Sequence, residues 1–404
     1  MNILQLSPQV PFPPTDGGKI GIYNIYKSFV ELGCKVTLVA FTNTDVSNET
    51  QNKYVHRNTI FLPIILDSRN TKFRIFKHFI FNQSLYIEKH YNKNLISIIE
   101  SKIDLNQIDI IHADHSNMAK LGLEIGRKYN IPVGLRLHNV EYIIWKRYYD
   151  ELKFYDPKRF FILQQYKLLK KAEAKLINDV DIAFAITEVD KKRAKSIATN
   201  ANIVTVPAGV DTNVWSKEDS PKEQYSLVIA TTFNWIHNVN ALNWFLDEVL
   251  GKLKSNFNKV SLNIIGKNPP DFINRYKTIG ANALGFVDDV KPYIRESEVY
   301  IAPLFVGSGI RIKILEAMAL GLPVVATDIS AEGINADDND GLFRANTAKE
   351  YIDIITKLFN DEALRKSSGE KARIFIENNH VWLDLISSMK KEYQSILALK
   401  QSNT

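Results

Sequence analysis

The sequence predicts an α/β protein built from two Rossmann-like domains, each around a parallel sheet. Three observations lead there. The chain has 404 residues, too many for one ordinary domain of roughly 100–200 residues. Hydrophobic residues make up 45% and charged residues 24%, a globular balance with apolar material for two cores. A strand–loop–helix–strand alternation opens the chain, lapses, and restarts near residue 226.

The first strand is predicted over 2–6. The loop SPQVPFPPTDGGK follows, its prolines and the pair Gly17-Gly18 opposing regular structure. Helical periodicity covers 20–32 and stops at Gly33, a C′ residue. Further strands fall at 35–41, 59–62, 108–112, 133–137 and 182–186. The run VPAGVDTNVWSKEDSPKEQ, from Val206, reads as a linker. Beyond it come a strand at 226–231, a helix at 239–254, strands at 260–265 and 299–303, a helix at 310–320 and a strand at 323–327. The stretch 361–399 is helical in pattern. The predicted domains are 1–216 and 217–380, with a helix at 381–404 returning to the first. Open sheets bind ligands at the carboxyl ends of their strands, so the predicted site is a cleft that both domains face.

Cys34 is the single cysteine, so no internal disulfide forms and nothing indicates an oxidising compartment. The N-terminus MNILQLSPQVPFPP lacks a basic region and a long apolar run, and no stretch of about 18 apolar residues occurs. The expected location is cytoplasmic. Charge is uneven: residues 1–216 hold 29 Lys+Arg against 21 Asp+Glu, and 217–404 hold 22 against 24. Two basic stretches of the first half, NTKFRIFKHFIFNQSLYIEKHY and RYYDELKFYDPKRFFILQQYKLLKKAEAK, interleave aromatics with cations. Such helices suit an anionic membrane surface; the plainer alternative is that the aromatics are packing. No nucleic-acid-reading motif is present. No His/Cys spacing of metal type occurs, so no metal or other cofactor is expected.

The segment IAPLFVGSGIRIKILEAMALGLPVVAT reads strand, glycine loop, helix, strand. Gly307-Ser308-Gly309 lets the backbone approach a ligand. Ile310 leads into a helix N-terminus whose unpaired N–H groups and dipole suit phosphate. Arg311 and Lys313 add two cations where the dipole disfavours them, unless an anion sits between. Glu316 falls inside an apolar helical run, where a carboxylate needs a partner. Ribose hydroxyls are one; the alternative is a cap on a neighbouring loop, or solvent.

This block resembles the donor site of family 4 glycosyltransferases, which have the two-domain glycosyltransferase B fold. It is most similar to a branch with a Gly-Ser-Gly-Ile-Arg-x-Lys motif. The resemblance implies transfer of a hexosyl unit from a nucleotide diphosphate sugar with retention of configuration. It implies that Glu316 binds the ribose, while the family's other glutamate, which contacts the donor sugar, falls at Ser308. The family's Arg and Lys after the first strand of the second domain are absent from IATTFNWIHNVNALNWF, so Arg311 and Lys313 take over their charge. There Asn238 is expected to N-cap the next helix, and His237 to line the phosphate site. In the first domain GLRLHNVEY ends in His138-Asn139, and the resemblance implies that His138 touches the donor sugar near its reacting carbon. Glu141 is an acceptor base or a partner of Arg136. Gly17 and Gly18 match a loop that approaches the donor phosphates; Lys19 reaches the phosphate or the acceptor, and Asp16 serves as an acceptor-side base. VPAGVDTNVW resembles the family's hinge. The implied acceptor is a glycan or a lipid-linked one at the inner face of the membrane, in cell-surface polysaccharide synthesis. The rival readings are a nucleotide-sugar epimerase or glycan phosphorylase of the same fold, and a non-catalytic nucleotide-sugar-binding partner.

Overall fold

The computed structural model describes residues 1–56, 59–218, 220–307 and 309–402. Ser308 lies outside the described residues. The chain forms two units, Met1–Pro207 with Trp382–Thr404, and Ala208–Val381.

The first unit holds a sheet of β1 (Asn2–Ser7), β2 (Lys35–Thr42), β3 (Ile60–Ile65), β4 (Ile110–Asp114), β5 (Val133–Leu137), β6 (Ile182–Ala185) and β7 (Ile203–Thr205). Its order is β3-β2-β1-β4-β5-β6-β7, and the pairings are parallel. Every residue of β4, β5 and β6 is buried, as expected of strands covered on both faces. The strand order reverses between β1 and β4, which makes the carboxyl ends of these two strands the switch point where such sheets bind ligands.

The second unit repeats the plan with β8 (Ser226–Ala230), β9 (Ser261–Ile265), β10 (Ala281–Gly285), β11 (Val299–Ala302), β12 (Val324–Ala326) and β13 (Leu342–Arg344). The order is β10-β9-β8-β11-β12-β13, again parallel. Its switch point lies between β8 and β11. β7 and β13, three residues each, and β10, with three exposed residues, carry too little apolar signal to be found in the sequence.

The helix expected at 20–32 begins earlier, at Gly17, and runs to Glu31. Asp16 caps it, accepting the Lys19 N–H at 3.0 Å, so Gly17 and Gly18 open a helix rather than lie in a loop. Gly33 follows the helix at φ 78°, the left-handed residue of a C′ position. The C-terminal helical stretch is two helices, Glu362–Asn379 and Trp382–Ser402. The second packs against Gly17–Glu31. Its Tyr393 is fully buried over Gly134, where a Cβ would collide with the tyrosine ring. The Tyr393 hydroxyl lies 2.6 Å from His112 Nδ1.

The linker expected from Val206 belongs largely with the second unit. Val210 bridges to Val381, His380 Nδ1 bonds the Ala208 carbonyl at 2.8 Å, and Arg373 donates to the carbonyls of Trp215 and Thr212. These bonds satisfy backbone that would otherwise be bare, so the first unit ends at Pro207 rather than 216.

Candidate active site

In the second unit the loop after β11 is clamped before it reaches the glycines. Ser330 Oγ accepts the Leu304 N–H at 3.0 Å, and the Thr327 hydroxyl donates to the Leu304 carbonyl. The chain then turns through Gly307 (φ 155°) and Gly309 (φ 78°). Gly309 occupies the left-handed region that favours glycine. At Gly307 a Cβ would collide with the Arg311 guanidinium, so that guanidinium lies folded over the loop. Its Nη1 reaches the Gly309 carbonyl at 3.4 Å.

The helix that follows spans Ile312–Ala319, with Arg311 as its N-cap residue. It was expected from residue 310. Ile310 and Arg311 instead belong to the approach, and of the two cations only Lys313 lies within the helix. Glu316 is 3% exposed. Its Oε2 lies 2.8 Å from Lys313 Nζ, so the partner of this carboxylate in the chain itself is Lys313, one turn back, and not a capped loop or solvent. Burial pushes the Glu316 pKa up, and Lys313 opposes the rise. Lys313 Nζ also lies 5.5 Å from the Trp215 ring centroid, within cation–π reach.

Asn238 does not N-cap the helix after β8. That helix is Ile236–Phe245 and Trp235 precedes it. Asn238 sits in its first turn and donates its side-chain amide to the Thr232 carbonyl at 2.8 Å, which braces the loop after β8. His237 meets Trp235 edge-on at 5.1 Å. The helix that carries His237 and the loop that carries Gly307 thus follow the two strands that flank the second switch point.

In the first unit His138 follows β5 directly. Burial, and then the neighbouring His115 and Arg136, hold its pKa well below the usual histidine value, so the ring is neutral. Its Nδ1 is buried with no hydrogen-bond partner in the protein. The ring stacks on that of His115 at 4.6 Å. His115 itself has φ 77° and ψ 151°, a backbone region almost confined to glycine.

Behind His115 lies a buried charge cluster. Asp114 is wholly buried, with Arg136 Nη1 at 3.1 Å, the Gln5 side-chain amide at 3.2 Å, and His112 and His115 at 3.7 and 3.6 Å. Burial raises the Asp114 pKa, but the two histidines and Arg136 outweigh it and keep the carboxyl well below its usual range. Arg136 therefore pairs with Asp114 and not with Glu141. Glu141 is buried against Tyr86 and Asn139, with its pKa raised by burial. A second buried carboxylate, Glu173, accepts from the Ser116 hydroxyl and from the Glu141 and Tyr142 N–H groups at 2.8, 3.2 and 2.8 Å. Burial lifts its pKa to about 7.

A cavity of about 720 Å³ opens at the carboxyl ends of β1, β2 and β4. Gln9, Lys19, Thr44, His90, His115 and Asn117 are among its lining residues. His90 Nδ1 is bonded to the Asn117 amide at 2.9 Å, and burial lowers the His90 pKa to about 3. Asp114, His115 and Asn117 escape a sequence reading that ends the fourth strand at 112. The polar run His112-Ala-Asp-His115 at a strand end was the available signal. Among the described residues, no group of three His, Cys, Asp or Glu side chains is placed to hold a metal ion.

Two doubly wound units, one with a glycine loop and helix N-terminus at its switch point and one with a polar cavity there, have the architecture of the glycosyltransferase B fold. Comparison with known proteins agrees. The sequence profile described as Glycosyltransferase Family 4 matches residues 15–214, and that described as Glycosyl transferases group 1 matches residues 225–361. The chain belongs to the glycosyltransferases of this fold. It is 23% identical over 325 residues to an uncharacterized glycosyltransferase of Methanocaldococcus jannaschii, covering 76% of this chain and 74% of that one. Sucrose-phosphate synthase from Thermosynechococcus elongatus superposes with a TM-score of 0.70 at 12% identity, over 99% of this chain and 100% of that one. Anabaena HepE, solved in complex with UDP, superposes at 0.68 and 14% identity, over 98% and 100%. At these identities the structural likeness speaks for the fold.

Proposed function

We propose that the protein transfers a hexosyl unit from a nucleotide diphosphate sugar to a hydroxyl of a glycan or lipid-linked acceptor, with retention of configuration, in the assembly of a cell-surface polysaccharide. The observation that carries this reading is the Arg311 guanidinium folded over the Gly307–Gly309 turn at the start of helix Ile312–Ala319. A diphosphate seated on that turn meets backbone N–H groups, the positive end of a helix dipole and the Arg311 cation together. Lys313 already neutralises Glu316, so a ribose bound there replaces or joins an existing partner. His237, in the first turn of helix Ile236–Phe245, contributes to the phosphate surroundings.

The leaving group carries the developing negative charge, and fixed donors aimed at it lower the barrier. His138, neutral and with an unpaired Nδ1, is suited to hydrogen-bond a sugar hydroxyl near the reacting carbon. No carboxylate is assigned as a nucleophile, so the route is front-side attack by the acceptor on an oxocarbenium-like centre. The acceptor occupies the cavity lined by Lys19, His90 and His115. No metal is required: turnover is expected to survive EDTA.

The test is release of nucleoside diphosphate by the purified protein, with a panel of nucleotide sugars, with and without acceptor. Acceptor-dependent release lost in both His138→Ala and Arg311→Ala supports the assignment. Unchanged turnover in either variant removes that residue from the site. A protein that is thermally stabilised by a nucleotide sugar yet never turns it over is the non-catalytic partner instead. Interconversion of free nucleotide sugars marks an epimerase, and phosphate-dependent release of sugar phosphate marks a phosphorylase.

A further inference from the structure

Helix Lys72–Ile80 buries only His78. Its apolar residues Phe73, Phe76 and Ile80 stand at the spacing of one helical face, and that face points to solvent: Phe73 is 77% exposed, and Phe76 and Ile80 are more than half exposed. Phe81 extends the stripe. Phe79 meets Phe160 edge-on at 6.0 Å, and Gln164 donates to the Phe79 carbonyl at 3.1 Å. These contacts join the helix to the first turns of helix Lys158–Asp179, where Phe160 is 72% exposed. Just before that helix stand Phe154, 87% exposed, and Tyr155, their rings 5.1 Å apart. Soluble monomers rarely expose so many large apolar groups in one area.

The same area is cationic. Lys72, Lys77, Lys153 and Lys158 are exposed and enter no ion pair among the described residues. Of the nearby acids, Asp150 is held by Lys146 at 2.6 Å, Asp156 accepts the Lys158 N–H at 2.8 Å, and Glu151 is exposed, which leaves the four lysines in excess. We propose that this face docks on an anionic lipid bilayer, with the phenyl rings among the headgroups and the lysines against lipid phosphates. Charge selects the occupant. A second copy would set lysines against lysines. A single nucleic-acid strand would find aromatic rings to stack on, but the stripe continues through aliphatic Ile80, which offers no stacking plane. A bilayer satisfies both the apolar and the cationic groups. The inference deepens the lipid-linked side of the function proposed above, but is measured without donor or acceptor, so either can fail alone.

The experiment is co-sedimentation of the full chain with vesicles of phosphatidylcholine, alone or with about one third phosphatidylglycerol. The wild type is expected to pellet with the anionic vesicles and to stay in solution with the neutral ones. Phe73→Ser/Phe76→Ser and Lys72→Glu/Lys77→Glu should each lower partitioning roughly tenfold or more. Their melting temperatures should be unchanged, since these side chains lie at the surface. If the phenylalanine variant unfolds, the lysine variant decides. Absence of binding, equal binding to both vesicle types, or binding that neither variant weakens overturns the proposal. So does a result in which the variants abolish self-association or oligonucleotide binding and leave vesicle binding intact.

Discussion

The imidazoles of His115 and His138 lie stacked, with centroids 4.6 Å apart and planes 23° from parallel. The two residues follow neighbouring strands, β4 and β5, and are 23 positions apart in the chain. Asp114, the last residue of β4, and Arg136, the last but one of β5, are joined beneath them at 3.1 Å. That buried pair thus lies beneath two histidines at the rim of the sheet, of which His115 lines the cavity.

His115 holds a backbone conformation that costs of order 1–3 kcal/mol for a residue with a side chain. His115→Gly should therefore raise the melting temperature while lowering turnover. His138→Ala, with normal backbone, should lower kcat by roughly 10²-fold and leave stability nearly unchanged. Thermal unfolding and steady-state kinetics on both variants check this. A destabilised His115→Gly removes the strain argument.

Lys313 and Glu316 form a pair whose acid is buried and whose base is half exposed. Lys313→Ala leaves the carboxylate buried alone and should cost about 1–3 kcal/mol. Adding Glu316→Gln should restore most of the loss, because the uncompensated charge is gone. Denaturant titration of the single and double variants gives the coupling. Arg311→Ala should leave stability alone and weaken nucleoside diphosphate binding about tenfold or more, read by calorimetry.

Glu173 gives a pH dependence with a definite sign. Burial raises its pKa from 4.5 to about 7 in the folded protein, so over that interval the folded state holds a proton that the unfolded chain has lost. Stability should fall as pH rises from 4.5 to about 7 and then level off. Glu173→Gln should flatten this slope and be more stable than wild type above that range. Denaturation midpoints over the same interval measure it. An identical slope in the variant assigns the effect to other groups.

Tyr393 is seated in the space left by Gly134. Tyr393→Ala should destabilise the first unit by about 3–5 kcal/mol. Tyr393→Phe keeps the packing and removes the hydroxyl from His112 Nδ1, at a cost of about 1–3 kcal/mol. Gly134→Ala should resemble the larger loss, since the added Cβ meets the ring. Calorimetric melting of the three variants orders them.

Much of the fold was legible because parallel strands buried on both faces are near-continuous apolar runs. β1, β5 and β8 stand close to where the sequence predicts them, and β5 matches at both ends. The edge strands β7, β10 and β13 were not, being short or exposed. The loop after β11 was legible as glycines before a helix. The first-domain site was only partly so: His138 follows a clear strand, but the strand before it continues through Ala113 and the charged Asp114, and the sequence reading stops at 112.

The sequence by itself determined the two-unit α/β plan, the glycine turn at 307–309, the cations at 311 and 313 and the histidine at 138, because each rests on local chain chemistry. Tertiary structure decided the pairings. It joined Arg136 to Asp114 rather than to Glu141, and His115 to His138, and it turned the phenylalanine face of helix Lys72–Ile80 outward. None of these is set by spacing alone. Each depends on which side chains sheet order and burial bring together, and on the cost of leaving a buried charge without a partner.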